Sequence, residues 1–289
     1  MTELEAGPLP LSSVRSLLRE HGIKPRKGLG QAFLLSERLL ERIIAAADLD
    51  PKDTVLEVGA GLGALTHRLA QGCGRVVALE VDGRLLPLLQ ETLAPFPNVQ
   101  VVHEDILAME PGDLVSPPYK VVANLPYYIT SAVLRHFLEA RAKPSLLVVT
   151  VQREVAQRIV AGPGHMSLLA VSVQLYGRPK IVAKAPPGAF YPSPGVTSAV
   201  LRIDLYASPP VEVADVERFF EIVRGGFSQR RKQLRNSLSQ GLDLPTNEVV
   251  LALRRVGLQE RQRAQELSID QWARLSRELA SEDWRRGMS

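Results

Sequence analysis

Val55-Leu56-Glu57-Val58-Gly59-Ala60-Gly61-Leu62-Gly63 reads as a short apolar strand that runs into a glycine-rich turn and opens a helix. Glycine lets a backbone take positive φ and approach a ligand closely. The helix start that follows leaves N–H groups free. Glu80 stands 21 residues after Gly59, at the end of the next apolar run. A carboxylate there can accept hydrogen bonds from both hydroxyls of a ribose. This is the spacing of a nucleoside-cofactor site, but it does not choose the cofactor. Gly59, Gly61 and Ala64 also satisfy the dinucleotide fingerprint in its Gly/Ala form, so S-adenosylmethionine and NAD both fit at this point. A tight strand–helix turn without a ligand would carry the same glycines.

Outward from this turn the rhythm repeats. Apolar runs at Thr54–Val58, Arg75–Glu80, Val99–His103, Lys120–Ala123 and Leu146–Val151 mostly lack alternation, as parallel strands covered on both faces do. Helical spacing falls between them at about 63–71, 82–93, 130–140 and 152–161. Strand–helix repetition predicts a doubly wound α/β sheet with its ligand at the carboxyl ends of the strands. Two helices are predicted ahead of the sheet, at 11–23 and 36–47; Ser36 caps the second, and Leu39, Leu40, Ile43 and Ile44 form its apolar face. After 162 the pattern changes. Residues 167–176 fit a helix or a strand, while 178–185 and 198–205 read as strands that would add an antiparallel edge. The proline-rich stretch between them, 189–198, reads as a structured loop. Pro209 and Pro210 mark the expected boundary between domains 1–208 and 209–289. Beyond it only helical signals occur, at 213–227, 229–239, 246–256 and 269–280.

A chain of 289 residues suits about two domains. With 45% hydrophobic and 23% charged residues it is globular in composition, which excludes a disordered tail protein. Cys73 is the single cysteine, so neither an internal disulfide nor a cysteine metal cage is expected, and a cytoplasmic location is favoured. The opening MTELEAGPLP is acidic and broken by proline, unlike a signal peptide. No apolar run approaches the ~18–20 residues that span a bilayer, so no membrane partner is expected. The net charge of +4 says little; its placement says more. From Ile222 to Leu242, 21 residues hold no acid and carry Arg224, Arg230, Arg231, Lys232 and Arg235.

Three further motifs carry chemistry. His103-Glu104-Asp105-Ile106-Leu107 follows the third strand of the repeat, and Asp105 could accept from the exocyclic amine of a cofactor adenine or simply cap a helix. The second is Asn124-Leu125-Pro126-Tyr127, at the carboxyl end of the fourth strand and on the same sheet edge as the glycine turn. The lone pair of a base's amino nitrogen is delocalised into its ring. Two acceptors that bind its two hydrogens localise that pair and aim it at a methyl group. The Asn124 oxygen and the Leu125 carbonyl are such acceptors, with Pro126 fixing φ and Tyr127 placed to stack on an extruded base. Third, Phe190 precedes Tyr191-Pro192-Ser193-Pro194 and could supply the other face of a base sandwich, or pack within its loop. No general base is needed, because an alkylated aryl ammonium loses its proton to water. His103 and His136 are therefore expected to be structural, and catalysis to be positioning.

These residues resemble the ribosomal RNA adenine N6-dimethyltransferase family, and within it the KsgA type that acts on small-subunit RNA. The resemblance runs from about Val14 to Leu279. It rests on Gly28-Leu29-Gly30-Gln31-Ala32-Phe33-Leu34, on the glycine turn, on the Asn124 string, on Gln152-Arg153-Glu154-Val155-Ala156, on Phe190-Tyr191-Pro192-Ser193-Pro194, on Phe227-Ser228-Gln229-Arg230-Arg231-Lys232 and on Arg263-Ala264-Gln265-Glu266-Leu267-Ser268. It implies a Rossmann-like methyltransferase fold with a seven-stranded, mostly parallel sheet and a small all-α C-terminal domain. It also implies S-adenosylmethionine as donor and dimethylation of two adjacent adenosines in the 3′-terminal hairpin loop of 16S ribosomal RNA, with a role in subunit biogenesis; a monomer without metal is expected. Cofactor contacts are implied at Ala32, Leu34, Gly59, Glu80, Asp105 and Asn124, with Gly61 and Ile106 beside them. Ala32 departs from the family's usual Asn or His, which removes a side-chain contact and leaves backbone contacts possible.

In an RNA enzyme the basic groups become phosphate-binding candidates: Arg224, Arg230, Arg231, Lys232 and Arg235, with Lys24, Arg26 and Lys27 before the cofactor turn and Arg153 after the fifth strand. Three other readings compete. A large-subunit RNA methylase shares the catalytic string. A DNA amino-methyltransferase would normally carry proline at the position of Leu125. A non-enzymatic assembly factor would not need Asn124 and Glu80 intact.

Overall fold

A computed structural model describes residues 11–229 and 231–280. In chain order the first part runs α1 (Leu11–Glu20), β1 (Phe33–Leu34), α2 (Glu37–Ala47), β2 (Thr54–Val58), α3 (Ala64–Gly72), β3 (Arg75–Leu79), α4 (Leu86–Leu93) and β4 (Val99–Val102). Next come β5 (Lys120–Asn124), α5 (Thr130–Glu139), β6 (Leu146–Gln152), α6 (Arg153–Ile159), α7 (Leu168–Gln174), β7 (Gly177–Ala185), β8 (Phe190–Tyr191) and β9 (Ser198–Leu205). Four helices close the chain: α8 (Val216–Phe227), α9 (Leu234–Leu242), α10 (Thr246–Arg255) and α11 (Ile269–Ala280).

Seven strands form one sheet in the order β4-β3-β2-β5-β6-β9-β7. β2 through β6 pair in parallel, and β9 pairs antiparallel to β6. The sheet is thus Rossmann-like and mostly parallel. β2, β3, β5 and β6 are buried along almost their whole length, which is why their sequences read as continuous apolar runs. Leu40 and Ile43 of α2 and Leu69 of α3 join Val55, Val76, Val122 and Val148 of the strands in one core. The Ser36 hydroxyl accepts from the Leu39 amide at 3.3 Å, so the expected cap starts α2.

The chain divides into two compact units, Met1–Ala156 with Pro179–Leu205, and Gln157–Arg178 with Tyr206–Ser289. The division cuts the chain within α6, again between 178 and 179, and last between 205 and 206, close to the boundary expected at 208–209. It gives α7 to the helical unit because Ala170, Val171 and Leu175 are buried in that unit's core with Phe219, Leu238, Leu253 and Trp272. The open choice at 167–176 resolves to helix, and Ser167 caps it by accepting from Ala170 N at 3.1 Å.

Two local expectations change. Residues 189–198 are not loop throughout: Phe190 and Tyr191 pair antiparallel with Leu34 and Phe33 as a two-stranded sheet. The helix expected at 229–239 starts only at Leu234, whose amide bonds to the Gln262 carbonyl at 2.7 Å. Arg231 and Lys232 therefore stand in the turn between α8 and α9 rather than on a helix face.

Candidate active site

A cleft opens at the carboxyl ends of β2 and β5, lined among others by Gly59, Gly61, Glu80, Asn124, Pro126 and Tyr127. The motifs that alternation along the chain separates meet here because parallel strands present the same end to one edge. Gly59, Gly61 and Gly63 have φ of 77°, 60° and 79°, a region open to glycine at little cost. The amides of Gly59 and Ala60 both bond to the Leu79 carbonyl at 2.9 Å, tying the turn to the end of β3. A Cβ at Gly59 would meet nothing within 4 Å, whereas one at Gly61 would lie 3.2 Å from the Phe33 ring. The turn thus leaves room for a ligand against its first glycine and has none to spare behind its second.

Glu80 is 5% exposed. Its Oε2 accepts from the Gly61 amide and its Oε1 from the Asp82 amide, both at 2.8 Å. Burial raises its carboxyl above the usual range, against the pull of these two amides. Each oxygen keeps a second lone pair, so the oriented carboxylate can still receive two ribose hydroxyls. Asp82 beside it is buried and holds a network. It accepts from the Gln31 side chain at 2.8 Å and from Arg84 at 2.5 Å, and it pairs with Arg26 at 3.7 Å. Hydrogen bonding from Arg84 holds the Asp82 carboxyl well below the usual carboxylate range. The Gln31 oxygen accepts from the Arg26 amide at 2.7 Å. This network ties the segment that carries Gln31 and Ala32 to the end of β3, and no motif in the sequence signals it.

Asn124 ends β5, and its Nδ2 donates to the Ala32 carbonyl at 2.8 Å. A carbonyl only accepts, so this contact decides which end of the amide is which. Oδ1 is then the atom left to accept from a ligand. Ala32 accepts with its main chain, so this contact does not depend on the side chain at that position. Leu125 is buried and Pro126 has φ of −56°. The Tyr127 hydroxyl shares a 2.5 Å hydrogen bond with the buried Ser198 at the start of β9, which pins the ring at the cleft wall. Tyr128 is 63% exposed beside it.

The other expected site residues divide between the cleft and the rest of the fold. Leu34 lines the cleft with Ala32. Phe190 does not: it is 3% exposed and packed in the sheet core, paired with Leu34 across the small sheet. A base sandwich on Phe190 would require its ring to leave that core. Asp105 is exposed and caps a 3₁₀ turn by accepting from Leu107 N at 3.0 Å, and Ile106 is buried; neither is part of the cleft wall. Both sit just beyond β4, next in the sheet to β3, which Glu80 directly follows. Among the basic groups, Lys24, Lys27, Arg153, Arg224, Arg231 and Lys232 are exposed. Arg26 is exposed yet paired with Asp82. Arg235 is half-buried and paired with Glu260 at 3.3 Å. Arg230 lies outside the described residues. His103 contacts the Val81 carbonyl at 3.2 Å, a structural role.

Two titratable residues of the cleft, Glu57 and His67, have no role in the sequence reading. Glu57 is 1% exposed and its Oε2 has no hydrogen-bond partner; the nearby Thr66 hydroxyl has none either. Burial pushes the Glu57 carboxyl up to about 8, and the charge of Glu80 adds to the shift. Between the ordinary value of 4.5 and about 8 the folded chain keeps a proton that the unfolded chain has lost. Stability from this group is therefore full below about pH 4.5 and falls as pH rises through 8, by a few kcal/mol at most. Glu57→Gln is expected to melt several degrees above the native chain at pH 9 and level with it at pH 4.5. Calorimetric melts across this range test it; parallel pH profiles would refute it.

A Rossmann-like sheet, a glycine turn facing a ribose-type carboxylate, and an Asn-Leu-Pro-Tyr string at the same edge define an amino-methyltransferase. The chain matches the family model for ribosomal RNA adenine dimethylase over residues 22–281, and it belongs to that family. Ribosomal RNA small subunit methyltransferase A of Dehalococcoides mccartyi is 45% identical over 270 residues, covering 93% of each chain. Its namesake in Moorella thermoacetica is 42% identical over 276 residues, 91% of this chain and 96% of that one. Among solved structures, 23S rRNA methyltransferase ErmE matches with a TM-score of 0.70 at 32% identity, covering 86% of this chain and all (100%) of that one. A dimethyladenosine transferase from Plasmodium falciparum shares the fold, with a TM-score of 0.74 at 22% identity over 84% of this chain and 95% of that one. S-adenosylmethionine is the family's methyl donor. The open wall at Gly59 and the oriented Glu80 carboxylate fit its adenosine portion. Among the described residues no helix is long and apolar enough to cross a membrane, and no group of three metal-ligating side chains forms.

Proposed function

We propose that the chain dimethylates N6 of two adjacent adenosines in the 3′-terminal hairpin loop of 16S ribosomal RNA, in the small subunit or its precursor, as a cytoplasmic monomer that contributes to subunit biogenesis. The observation that carries the chemistry is the Asn124 amide, locked by the Ala32 carbonyl with Oδ1 left to accept. S-adenosylmethionine supplies an electrophilic methyl when bound. Asn124 Oδ1 and the Leu125 main-chain carbonyl take the two hydrogens of the adenine amino group, and Tyr127 stacks on the extruded base. Gly59, Gly61, Glu80, Ala32 and Leu34 hold the donor, with Asp105 and Ile106 at its adenine end. Phe190 is a positioning residue behind the cleft wall, fixing β1 and with it Leu34 of the donor site. No side chain is needed as a base, because the amino proton leaves to water.

The small-subunit reading rests on relatives 38–46% identical over more than nine-tenths of the chain. A large-subunit substrate is the second reading, favoured by the likeness to ErmE. Incubation with labelled S-adenosylmethionine and unmethylated small and large subunits, followed by mapping of the modified bases, separates them. Two adjacent dimethyladenosines in small-subunit RNA are expected; label confined to the large subunit, or no label, would overturn the proposal.

Lys24, Lys27, Arg153, Arg224, Arg230, Arg231 and Lys232 are proposed phosphate contacts. Arg26 and Arg235 share that duty with the ion pairs that hold them. Neutralising Arg230, Arg231 and Lys232 together is expected to weaken RNA binding and to lower its log–log salt slope by about 2 to 3. Filter binding over a salt series measures this, and an unchanged slope would make the turn a plain solvated one.

A further inference from the structure

The helical unit contains a second cavity, of about 340 Å³. Met166, Leu168, Phe227 and Ala264 give it an apolar wall, and the Phe227 ring, 5.6 Å from that of Trp272, is only partly buried. Arg158 and Arg224 stand at its edge, both exposed. Among the described residues no acidic side chain lines it. Six other arginines of this unit, such as Arg218, Arg254 and Arg277, are held in ion pairs. Arg158 and Arg224 have no carboxylate partner among the described residues. Glu154, one helical turn before Arg158, does not pair with it. Gln265 lines the same space beside Ser228 and Gln229.

These groups sort into two kinds of chemistry. Guanidinium groups left without carboxylates bind phosphate through charge-assisted hydrogen bonds. An apolar wall with an aromatic ring and a nearby amide takes a flat heterocycle, since stacking on an aromatic tolerates any base. An acidic peptide would use the arginines but not the wall. The volume lies at the lower end of the range for small-ligand sites, about the size of one nucleotide.

We propose that this cavity is a second nucleotide-binding site, which takes one unpaired nucleotide of the RNA substrate, with its base on the Phe227 wall and its phosphate on Arg158 and Arg224. The inference rests on the reading of the chain as an RNA enzyme. It gives the helical unit a grip on single-stranded RNA that is separate from the adenosine undergoing methylation.

The test uses the full chain and an oligouridylate octamer carrying 4-thiouridine. Photo-crosslinked peptides are expected from residues 158–168 or 224–229. Arg158→Ala with Arg224→Ala is expected to weaken octamer binding roughly tenfold and to lower the salt slope by about 0.7 for each phosphate no longer neutralised. Phe227→Leu is expected to weaken octamer binding several-fold with the slope unchanged, and to leave binding of an octamer without bases untouched. Thermal melts check that each variant is folded, and the arginine pair, being exposed, keeps the test valid if Phe227→Leu is not. Native affinity in the arginine variant, crosslinks only elsewhere, or displacement of the octamer by polyglutamate at equal charge would overturn the site. A native chain that neither binds nor methylates RNA would instead overturn the reading beneath it.

Discussion

Asn124→Ala is expected to abolish methyl transfer, with a loss of at least about a thousandfold in single-turnover rate, while RNA affinity stays within a few-fold of the native chain. Removing one preorganised hydrogen-bonding group from a reaction centre costs about 10²–10³ in rate. Here the loss is compounded, because the same side chain donates to the Ala32 carbonyl at 2.8 Å and so holds the cleft's opposite wall. Asn124→Asp separates the two duties. It keeps an acceptor for the adenine amino group, but it faces the Ala32 carbonyl with an oxygen that cannot donate while ionised. Its activity is therefore expected to be low and to recover partly as pH falls and the carboxyl gains a proton. Methyl incorporation measured beside filter binding of the RNA checks both variants, and near-normal incorporation by Asn124→Ala would refute the assigned role.

Gly241→Ala is expected to cost about 3 kcal/mol or more and to lower the melting transition by several degrees. A Cβ at position 241 would lie 2.5 Å from the Gly225 Cα and 2.7 Å from its carbonyl oxygen. These are backbone atoms of α8, so no side chain can swing aside; α8 and α9 must move apart. Overpacking of a well-filled core typically costs about 1–3 kcal/mol, and a backbone obstacle puts this site at the upper end. The neighbouring Gly226 adds to the constraint, since its own Cβ would lie 2.4 Å from the Trp272 ring that fills the core of the unit. Gly162→Ala, with nothing within 4 Å and an ordinary φ, serves as the control and should change little. Scanning calorimetry decides between them. A native melting temperature for Gly241→Ala would mean that the two helices separate freely.

Much of the cleft is legible in the sequence because its signals are local. The glycine turn, Glu80 at the end of the following strand and the Asn124 string each declare themselves within a few residues. The parallel order of β2, β3 and β5 then brings them to one edge. Phe190 is illegible for the opposite reason. An aromatic before Tyr191 and Pro192 looks the same whether its ring faces a ligand or the core. Only its pairing with Leu34, far away in the chain, turns it inward. Arg235 is one of five equal basic groups in the sequence, and Glu260 singles it out. Residues 229–233 carry a helical pattern, yet the bond from Leu234 to the Gln262 carbonyl starts α9 late and turns the basic run into a loop.

The amino-acid sequence by itself determined the strand–helix alternation, the glycine turn, the cap at Ser36 and the motif residues that line the cleft. Each depends on dihedral preference, apolar period or hydrogen bonding over a few neighbouring residues. The tertiary structure alone decided that Ala32 orients Asn124, that Gln31 and Asp82 fasten the cleft, that Glu57 is buried without a partner for its Oε2, and that Arg158 and Arg224 share a cavity. Those contacts join segments as much as 92 residues apart. No local preference encodes them, because they exist only once the sheet and the helical unit have each packed.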